Sequence, residues 1–299
     1  MNEQINNNEN HRRDRNVVVP TSTGDVCCGV YGDDSCKRVV FFFHGFPGSR
    51  IEAWAFHEVA KNSGVTIIAP DRPGIGQSSY VPGRRIIDWA KTVGEIADHF
   101  SVKSFTLLAI SGGTPYGFAC ARFLQDRVDK YVVVSGVCPF QEDGVTRNMA
   151  PLHKTLLAIL GVSPVFMPPI LGIMGTLLRT SRLAVHLFLG CAMNEKDKEI
   201  IRERHSKKIF RMDLQEALRQ GVRGLIHEFK LLTAPWGFER SDVTVPTVLI
   251  HGTVDLFVPI EMMEANARAL QNLEIIKIPD EGHLVAFKIA PLLLQKCLD

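Results

Sequence analysis

The pattern of hydrophobic and polar positions changes its period repeatedly along the first half of the chain. Apolar runs of strand length alternate with stretches that carry apolar residues at helical spacing. The run at 38–43 lacks polar–apolar alternation, which indicates a strand covered on both faces and therefore a parallel sheet. A turn at Thr23-Gly24-Asp25 predicts an antiparallel entry hairpin. The predicted strands are 17–19, 26–31, 38–43, 65–69, 105–110 and 130–137, and the predicted helices are 51–61, 85–100 and 116–124.

This alternation stops between Cys138 and about Ser241, where helical patches occur without a convincing strand. The patches are roughly 152–160, 170–178, 183–191, 195–209 and 214–232. Strands at 247–250 and 273–278 then return, with helices at 260–270 and 284–298. The order predicts an α/β fold with a doubly wound, mostly parallel sheet and an inserted helical cap. We assign residues 1–15 to a disordered polar tail, 16–137 and 242–299 to the core, and 138–241 to the cap.

One uncharged stretch of the predicted cap, residues 155–178, is long enough to span a bilayer. Pro164, Pro168 and Pro169 interrupt it, together with three glycines, and would break one continuous helix into short pieces. This composition favours a bent apolar hairpin in the cap over a transmembrane helix.

Composition narrows the class of protein further. The chain has 299 residues with 34 basic and 32 acidic side chains, so its small net charge disfavours binding to nucleic acid or to an anionic membrane. Seven cysteines without a C-x-x-C spacing indicate a reducing compartment, and the polar N-terminus lacks the apolar segment of a secretory signal. We therefore expect a cytoplasmic protein with a small apolar substrate, no cofactor and no metal. Membrane contact through the cap and homo-oligomerisation stay open.

The first candidate for chemistry is Ser111, which follows the apolar run 105–110 and precedes a helical stretch. Such a strand-to-helix turn needs small residues two positions on either side, here Ala109 and Gly113. The turn exposes the hydroxyl and directs the backbone N–H of Gly112 toward an oxygen that gains negative charge. Taken alone, the stretch is equally consistent with a nucleophilic serine and with a serine in a structural turn.

A serine nucleophile needs a base and an orienting carboxylate. Asp255 follows the predicted strand 247–250, and His283 follows the strand 273–278. In a parallel sheet both loops lie at the same edge as Ser111. His283 is therefore the candidate base and Asp255 the candidate orienter, and the backbone N–H of Phe46 is the candidate second donor of an oxyanion hole.

The motifs HGFPGSR, DRPGIGQSS, AISGGTPYG, HGTVD and EGH occur in this order. On these motifs the chain resembles the α/β-hydrolase superfamily over nearly all of residues 17–298. The resemblance implies that Ser111, Asp255 and His283 match the catalytic triad, that Phe46 and Gly112 match the oxyanion amides, and that residues 71–76 are architectural.

A narrower resemblance connects HGFPGSR, SGGTPYG and PWGF to hydrolases labelled proline-iminopeptidase-like. The aminopeptidases of that group carry Trp after the serine, whereas this chain has Gly112. Relatives that act on epoxides and haloalkanes carry Asp in place of the serine. Both chemistries are therefore disfavoured.

The resulting hypothesis is a serine hydrolase that cleaves an ester, thioester or amide of a small-to-medium apolar substrate through an acyl-enzyme on Ser111. A ligand-binding receptor or scaffold, and a carbon–carbon hydrolase, lyase or perhydrolase, are the alternatives. For neighbouring candidates we expect structural roles: backbone contacts for His44 and His251, solvated carboxylates for Asp280 and Glu281, and either the pocket or the core for Tyr116 and Trp236.

Overall fold

The computed structural model describes residues 16–33, 35, 38–162, 172, 173, 176 and 193–299. The strands are β1 (Asn16–Thr21), β2 (Gly24–Gly32), β3 (Val39–Phe43), β4 (Thr66–Pro70), β5 (Phe105–Ile110), β6 (Val128–Val134), β7 (Thr247–Gly252) and β8 (Leu273–Ile278). They form an eight-stranded sheet in the order β1-β2-β4-β3-β5-β6-β7-β8. β2 pairs antiparallel with β1 and with β4, and all other neighbours are parallel. The mostly parallel sheet and its entry hairpin are confirmed.

Helices cover both faces of this sheet. Trp89, Tyr116 and Phe118 belong to the hydrophobic core on one face, and Phe56 and Leu293 belong to the core on the other. The sheet is therefore doubly wound, as predicted. The helices are α1 (His57–Asn62), α2 (Asp88–His99), α3 (Thr114–Phe123), α4 (Pro151–Val162), α5 (Glu195–Arg202), α6 (Arg204–Ala217), α7 (Arg223–Thr233), α8 (Ile260–Ala269), α9 (Val285–Lys288) and α10 (Ala290–Leu298).

Parallel pairing aligns the strand ends that carry the candidate chemistry. Phe43 pairs with Ala109, and Ile110 pairs with Val134. Val134 pairs in turn with Ile250, which pairs with Ile276. The loops after β3, β5, β7 and β8 consequently leave the sheet from one edge.

Three predicted elements differ from the structure for local reasons. The predicted helix 51–61 is a 3₁₀ segment, Arg50–Phe56, followed by α1. The predicted strand 130–137 ends at Val134, because Ser135 adopts a left-handed φ of 49°. The predicted helix 284–298 is divided into α9 and α10, and Pro291 occupies the first turn of α10, where its missing N–H is tolerated.

Between β6 and β7 the structure has the helices α4 to α7. The predicted patch 195–209 is interrupted at Glu203, which is extended, and the patch 214–232 is interrupted around Gly221, whose φ is 81°. The tail 1–15, the patch 183–191, and most of the patch 170–178 and of the apolar hairpin after residue 162 lie outside the described residues. The division into core and cap stays a prediction. Among the residues described, no helix is long and apolar enough to cross a membrane.

Candidate active site

Ser111 occupies a strained turn between β5 and α3. Its φ of 51° lies in the left-handed region, which a residue with a side chain rarely adopts. Gly113 permits the turn, because a Cβ at this position would clash with the carbonyl oxygen of Phe43. Thr114 Oγ1 donates a hydrogen bond of 2.7 Å to the carbonyl of Ser111 and closes the turn. The local geometry is the tight strand-to-helix turn that the sequence predicts.

The structure brings Ser111, His283 and Asp255 together in one hydrogen-bonded chain. His283 Nε2 lies 3.1 Å from Ser111 Oγ, and His283 Nδ1 lies 2.8 Å from Asp255 Oδ2. The other carboxylate oxygen, Asp255 Oδ1, accepts the N–H groups of Phe257 and Val258 at 2.9 Å each. Asp255 is therefore held in place independently of the imidazole.

Further contacts fix the position of His283. The ring of Phe257 stacks on the imidazole with a centroid separation of 5.2 Å. Ser135 Oγ donates to the carbonyl oxygen of His283 at 2.9 Å, so the residue that ends β6 also holds the loop after β8. The His283 side chain keeps 12% of its surface exposed, whereas that of Asp255 is fully buried.

The charges of Asp255 and His283 shift each other's pKa values in opposite directions. Burial by itself raises the pKa of Asp255, but the charges and hydrogen bonds of His283 and His251 outweigh it and hold the pKa below its usual range. Burial lowers the pKa of His283, but Asp255, with smaller contributions from Asp197 and Glu52, brings the net pKa above the usual value. Asp255 thus stays ionised, and His283 is a stronger base than a free imidazole.

The two candidate oxyanion amides lie next to each other. A Cβ on Gly112 would come within 2.7 Å of Phe46 Cβ and 3.2 Å of the Phe46 nitrogen. The absence of a side chain at Gly112 therefore allows the loop after β3 to approach the Ser111 turn. The arrangement suits two N–H donors on one developing oxyanion.

Arg72 holds the backbone of the loop that carries Phe46. Its guanidinium donates to the carbonyl oxygens of His44 at 2.7 Å and Gly45 at 2.9 Å. Because the C=O of Gly45 and the N–H of Phe46 belong to one trans peptide, fixing the carbonyl toward Arg72 directs the amide to the opposite side. The sequence interpretation placed Arg72 in an architectural loop and missed this role.

Arg72 is itself held by a buried ion-pair cluster. Glu228 of α7 pairs with Arg72 at 2.6 Å and also with Arg84, and the Arg72 guanidinium lies 4.8 Å from the ring centre of Tyr116. Burial raises the pKa of Glu228, but the two arginines outweigh it and lower the pKa below its usual range. Glu228 is therefore a buried anion with two cationic partners.

Two buried carboxylates, Glu52 and Asp213, bind the backbone of the loop after β3. Glu52 Oε2 accepts the N–H of Gly45 at 2.6 Å, and Asp213 of α6 accepts the N–H and the hydroxyl of Ser49 at 2.8 and 2.7 Å. The position that a Cβ on Gly48 would take lies 3.3 Å from Asp213 Oδ2 and 3.4 Å from Glu52 Oε2. Burial raises the pKa of both groups, and the charge of Glu52 raises that of Asp213 further.

Neighbouring candidates mostly have the structural roles expected of them. His44 Nδ1 lies 3.0 Å from the Gly45 carbonyl oxygen, and His251 Nε2 lies 2.8 Å from that of Val258. Tyr116 and Trp236 are buried in the core. The expectation of a solvated carboxylate is wrong for Glu281, which is buried and paired with Lys288, whereas Asp280 is exposed.

Comparisons with known proteins bear on the fold of the chain. A family model described as alpha/beta hydrolase fold matches residues 38–167. An uncharacterized hydrolase, YcgS, from Bacillus subtilis strain 168 is 28% identical over 33% of this chain and 34% of its own length. Protein ABHD8 from Bos taurus is 25% identical over 84% of this chain and 54% of its own length. The matched regions thus span about half, or less, of these relatives.

Among solved structures, a thermophilic esterase from Thermogutta terrifontis is similar in fold, with a TM-score of 0.64 at 19% identity. The similarity covers 95% of this chain and 97% of that one. The chain has the α/β-hydrolase fold.

The buried pair Glu52 and Asp213 leads to a prediction about stability. The folded protein holds the Asp213 proton more tightly than the unfolded chain does. The contribution of Asp213 to the free energy of unfolding is therefore fully favourable below the usual aspartate pKa of about 4. It is lost as the pH rises toward the pKa that Asp213 has in the folded protein. Asp213→Asn keeps the acceptor oxygen for Ser49 and removes the titration. We expect it to raise the free energy of unfolding at about pH 8 by roughly 1 kcal/mol, with less gain near pH 5.

Urea unfolding of wild type and variant at both pH values measures the effect. Asp126→Asn, at an exposed aspartate, is the matched control and should change little at either pH. A loss of stability at the higher pH in Asp213→Asn would show that the ionised carboxylate is the stabilising form.

Proposed function

We propose that this protein is a serine hydrolase that cleaves an ester, thioester or amide through an acyl-enzyme on Ser111. The observation that carries the proposal is the hydrogen-bonded chain from Ser111 Oγ through His283 to Asp255. In this scheme His283 is the general base and Asp255 its orienter, and the amides of Phe46 and Gly112 bind the oxyanion. The esterase from Thermogutta terrifontis, which is similar in fold, supports the same class of reaction.

The proposed reaction begins when Ser111 Oγ attacks the acyl carbonyl and His283 Nε2 accepts its proton. The carbonyl oxygen becomes an oxyanion next to Phe46 and Gly112. Asp255 keeps Nδ1 protonated and stabilises the imidazolium that forms. His283 then gives the proton to the leaving group, and the same steps with water release the acid and restore Ser111.

Apolar side chains around the reacting groups support an apolar substrate. The ring of Phe46 lies 6.2 Å from that of Phe229 on α7. Leu232, on the same helix, reaches within 3.4 Å of the position that a Cβ on Gly112 would take. Phe257 lies against His283 on the other side. We therefore propose an apolar slot between α7 and the Ser111 turn.

The first test is labelling with a fluorophosphonate probe, which reacts with an activated serine. Wild type should be labelled on Ser111, and Ser111→Ala should not be labelled. Ser104→Ala, at an exposed serine just before β5, is the matched control and should be labelled like wild type. A well-folded wild type that stays unlabelled would favour a ligand-binding receptor or scaffold. If labelling succeeds, product analysis separates ester hydrolysis from carbon–carbon cleavage, lyase chemistry and perhydrolysis.

The second test compares the three members of the triad. We expect Ser111→Ala and His283→Ala to lower kcat by about 10⁴-fold or more, and Asp255→Asn by a smaller factor, because the serine–imidazole pair survives with poorer alignment. Since Asp255 raises the pKa of His283, Asp255→Asn should also move the acid limb of kcat/KM to lower pH. Steady-state kinetics across pH measures both effects. Near-wild-type turnover in Asp255→Asn would assign the orienting role to another carboxylate.

The third test concerns the acyl chain. Each buried methylene contributes up to about 0.8 kcal/mol, so kcat/KM should rise roughly threefold per carbon until the slot is full. The measurement is kcat/KM for p-nitrophenyl esters of about two to twelve acyl carbons. Leu232→Ala should flatten the rise, whereas Leu152→Ala, at an exposed position on α4, should not. A preference of wild type for acetyl or anionic esters would reject the slot and leave the triad assignment intact.

A further inference from the structure

The first turn of α5 touches both loops that carry the acid and the base of the proposed triad. Asn194 caps this helix and accepts the N–H of Asp197 at 2.8 Å. Its side-chain nitrogen donates to the carbonyl oxygen of Val254 at 2.8 Å. Asp197 Oδ1 accepts the N–H of Leu284, also at 2.8 Å. Val254 immediately precedes Asp255 and Leu284 immediately follows His283, so one helical turn joins the two loops.

The loop before His283 is shaped to receive this turn. A Cβ on Gly282 would overlap Asp197 Oδ2 and would come within 2.5 Å of Asn194 Nδ2. Asp197 is completely buried in this contact. The two loops also bind each other directly, because the N–H of Val254 donates to the carbonyl oxygen of Glu281 at 3.1 Å. The acid loop, the base loop and α5 therefore form one packed unit.

The same contact holds the Asp197 carboxylate on the backbone next to His283, where its charge acts on the imidazole. Among the described residues, the charged and titratable groups that act on His283 include Asp255 after β7, Asp197 on α5, Glu52 in the 3₁₀ segment and His153 on α4. Burial raises the pKa of Asp197, while the N–H of Leu284 and the charge of His283 oppose this rise. The interaction is mutual, since Asp197 contributes to the raised pKa of His283.

We propose that Asn194 and Asp197 are positioning residues of the site: they align the Asp255 and His283 loops, and Asp197 is a second carboxylate that stabilises the protonated imidazole. The proposal rests on the proposed serine-hydrolase function. This role differs from a purely structural one, because a contact that only anchors α5 affects stability, whereas a charge acting on His283 affects the titration of the imidazole.

Two substitutions at Asp197 separate charge from hydrogen bonding. Asp197→Asn keeps an acceptor oxygen for the N–H of Leu284 and removes the charge, whereas Asp197→Ala removes both. We expect Asp197→Asn to move the acid limb of kcat/KM to lower pH, with little change in KM. Asp197→Ala should also lower kcat on the order of tenfold, the equivalent of one lost hydrogen bond to a charged group. Asn194→Ser keeps a helix-capping oxygen, removes the amide donor to Val254 and adds no charge, so it should lower kcat without moving the acid limb.

Glu195→Gln is the matched control, because Glu195 lies in the same helical turn, is exposed, and pairs with Lys198 instead of touching either loop. It should leave kcat, KM and the pH profile unchanged. Thermal unfolding of all variants shows whether α5 has lost stability. If Asp197→Asn and Asp197→Ala lose activity only in proportion to stability, with an unmoved acid limb, Asp197 has a structural role alone and the proposal is wrong.

A readout that needs no turnover distinguishes this proposal from the proposed function. The imidazole of His283 can be titrated by NMR, with its signal assigned by its loss in His283→Gln. The midpoint should fall in Asp197→Asn and stay at the wild-type value in Glu195→Gln. If wild type neither hydrolyses esters nor reacts with fluorophosphonate, the proposed function fails, yet a lower midpoint would still establish the coupling. Equal midpoints in wild type and Asp197→Asn would overturn it.

Discussion

Parallel strand pairing is the constraint on which the candidate site depends. Ile110, Val134, Ile250 and Ile276 form one paired row across β5 to β8, so the loops that follow these strands start at the same height. Ser111, Ser135, Asp255 and His283 lie in those loops and form hydrogen bonds with one another. The register thus brings together groups that are far apart in sequence, and the left-handed turn at Ser111 presents the hydroxyl to them.

Buried carboxylates connect the helices between β6 and β7 to that edge. Glu228 on α7 acts through Arg72 on the loop of Phe46, Asp213 on α6 holds Ser49, and Asp197 on α5 holds Leu284. Burying a charge is costly unless it is paired or hydrogen-bonded, and each of these carboxylates has such a partner. Helix α7, which lines the proposed slot, consequently also acts on the backbone of the site through Glu228 and Arg72.

The environments of these carboxylates differ in a way that bears on their protonation. Glu228 lies between Arg72 and Arg84, and its pKa is lowered despite complete burial. Asp213 faces Glu52 instead, and its pKa is raised. The surroundings of Glu228 therefore favour its charged form, whereas those of Asp213, close to the oxyanion loop, shift it toward the protonated form. The residue type alone does not distinguish the two cases, because the sign of the shift depends on which side chains are packed nearby.

The sequence by itself determined the elements whose signal is local. The period of the apolar residues identified the strands and the sheet class, and the spacing of Ser111, Asp255 and His283 after strands predicted their shared edge. The ends of the elements were less predictable, since β6 ends where Ser135 adopts a left-handed backbone conformation. Tertiary structure alone decided the roles of Arg72, Glu228, Asp213, Asn194 and Asp197. Glu228 pairs with two arginine side chains that are distant along the chain. The other four residues bind backbone groups distant along the chain, and a backbone N–H or C=O carries no sequence identity by which such a partner could be recognised.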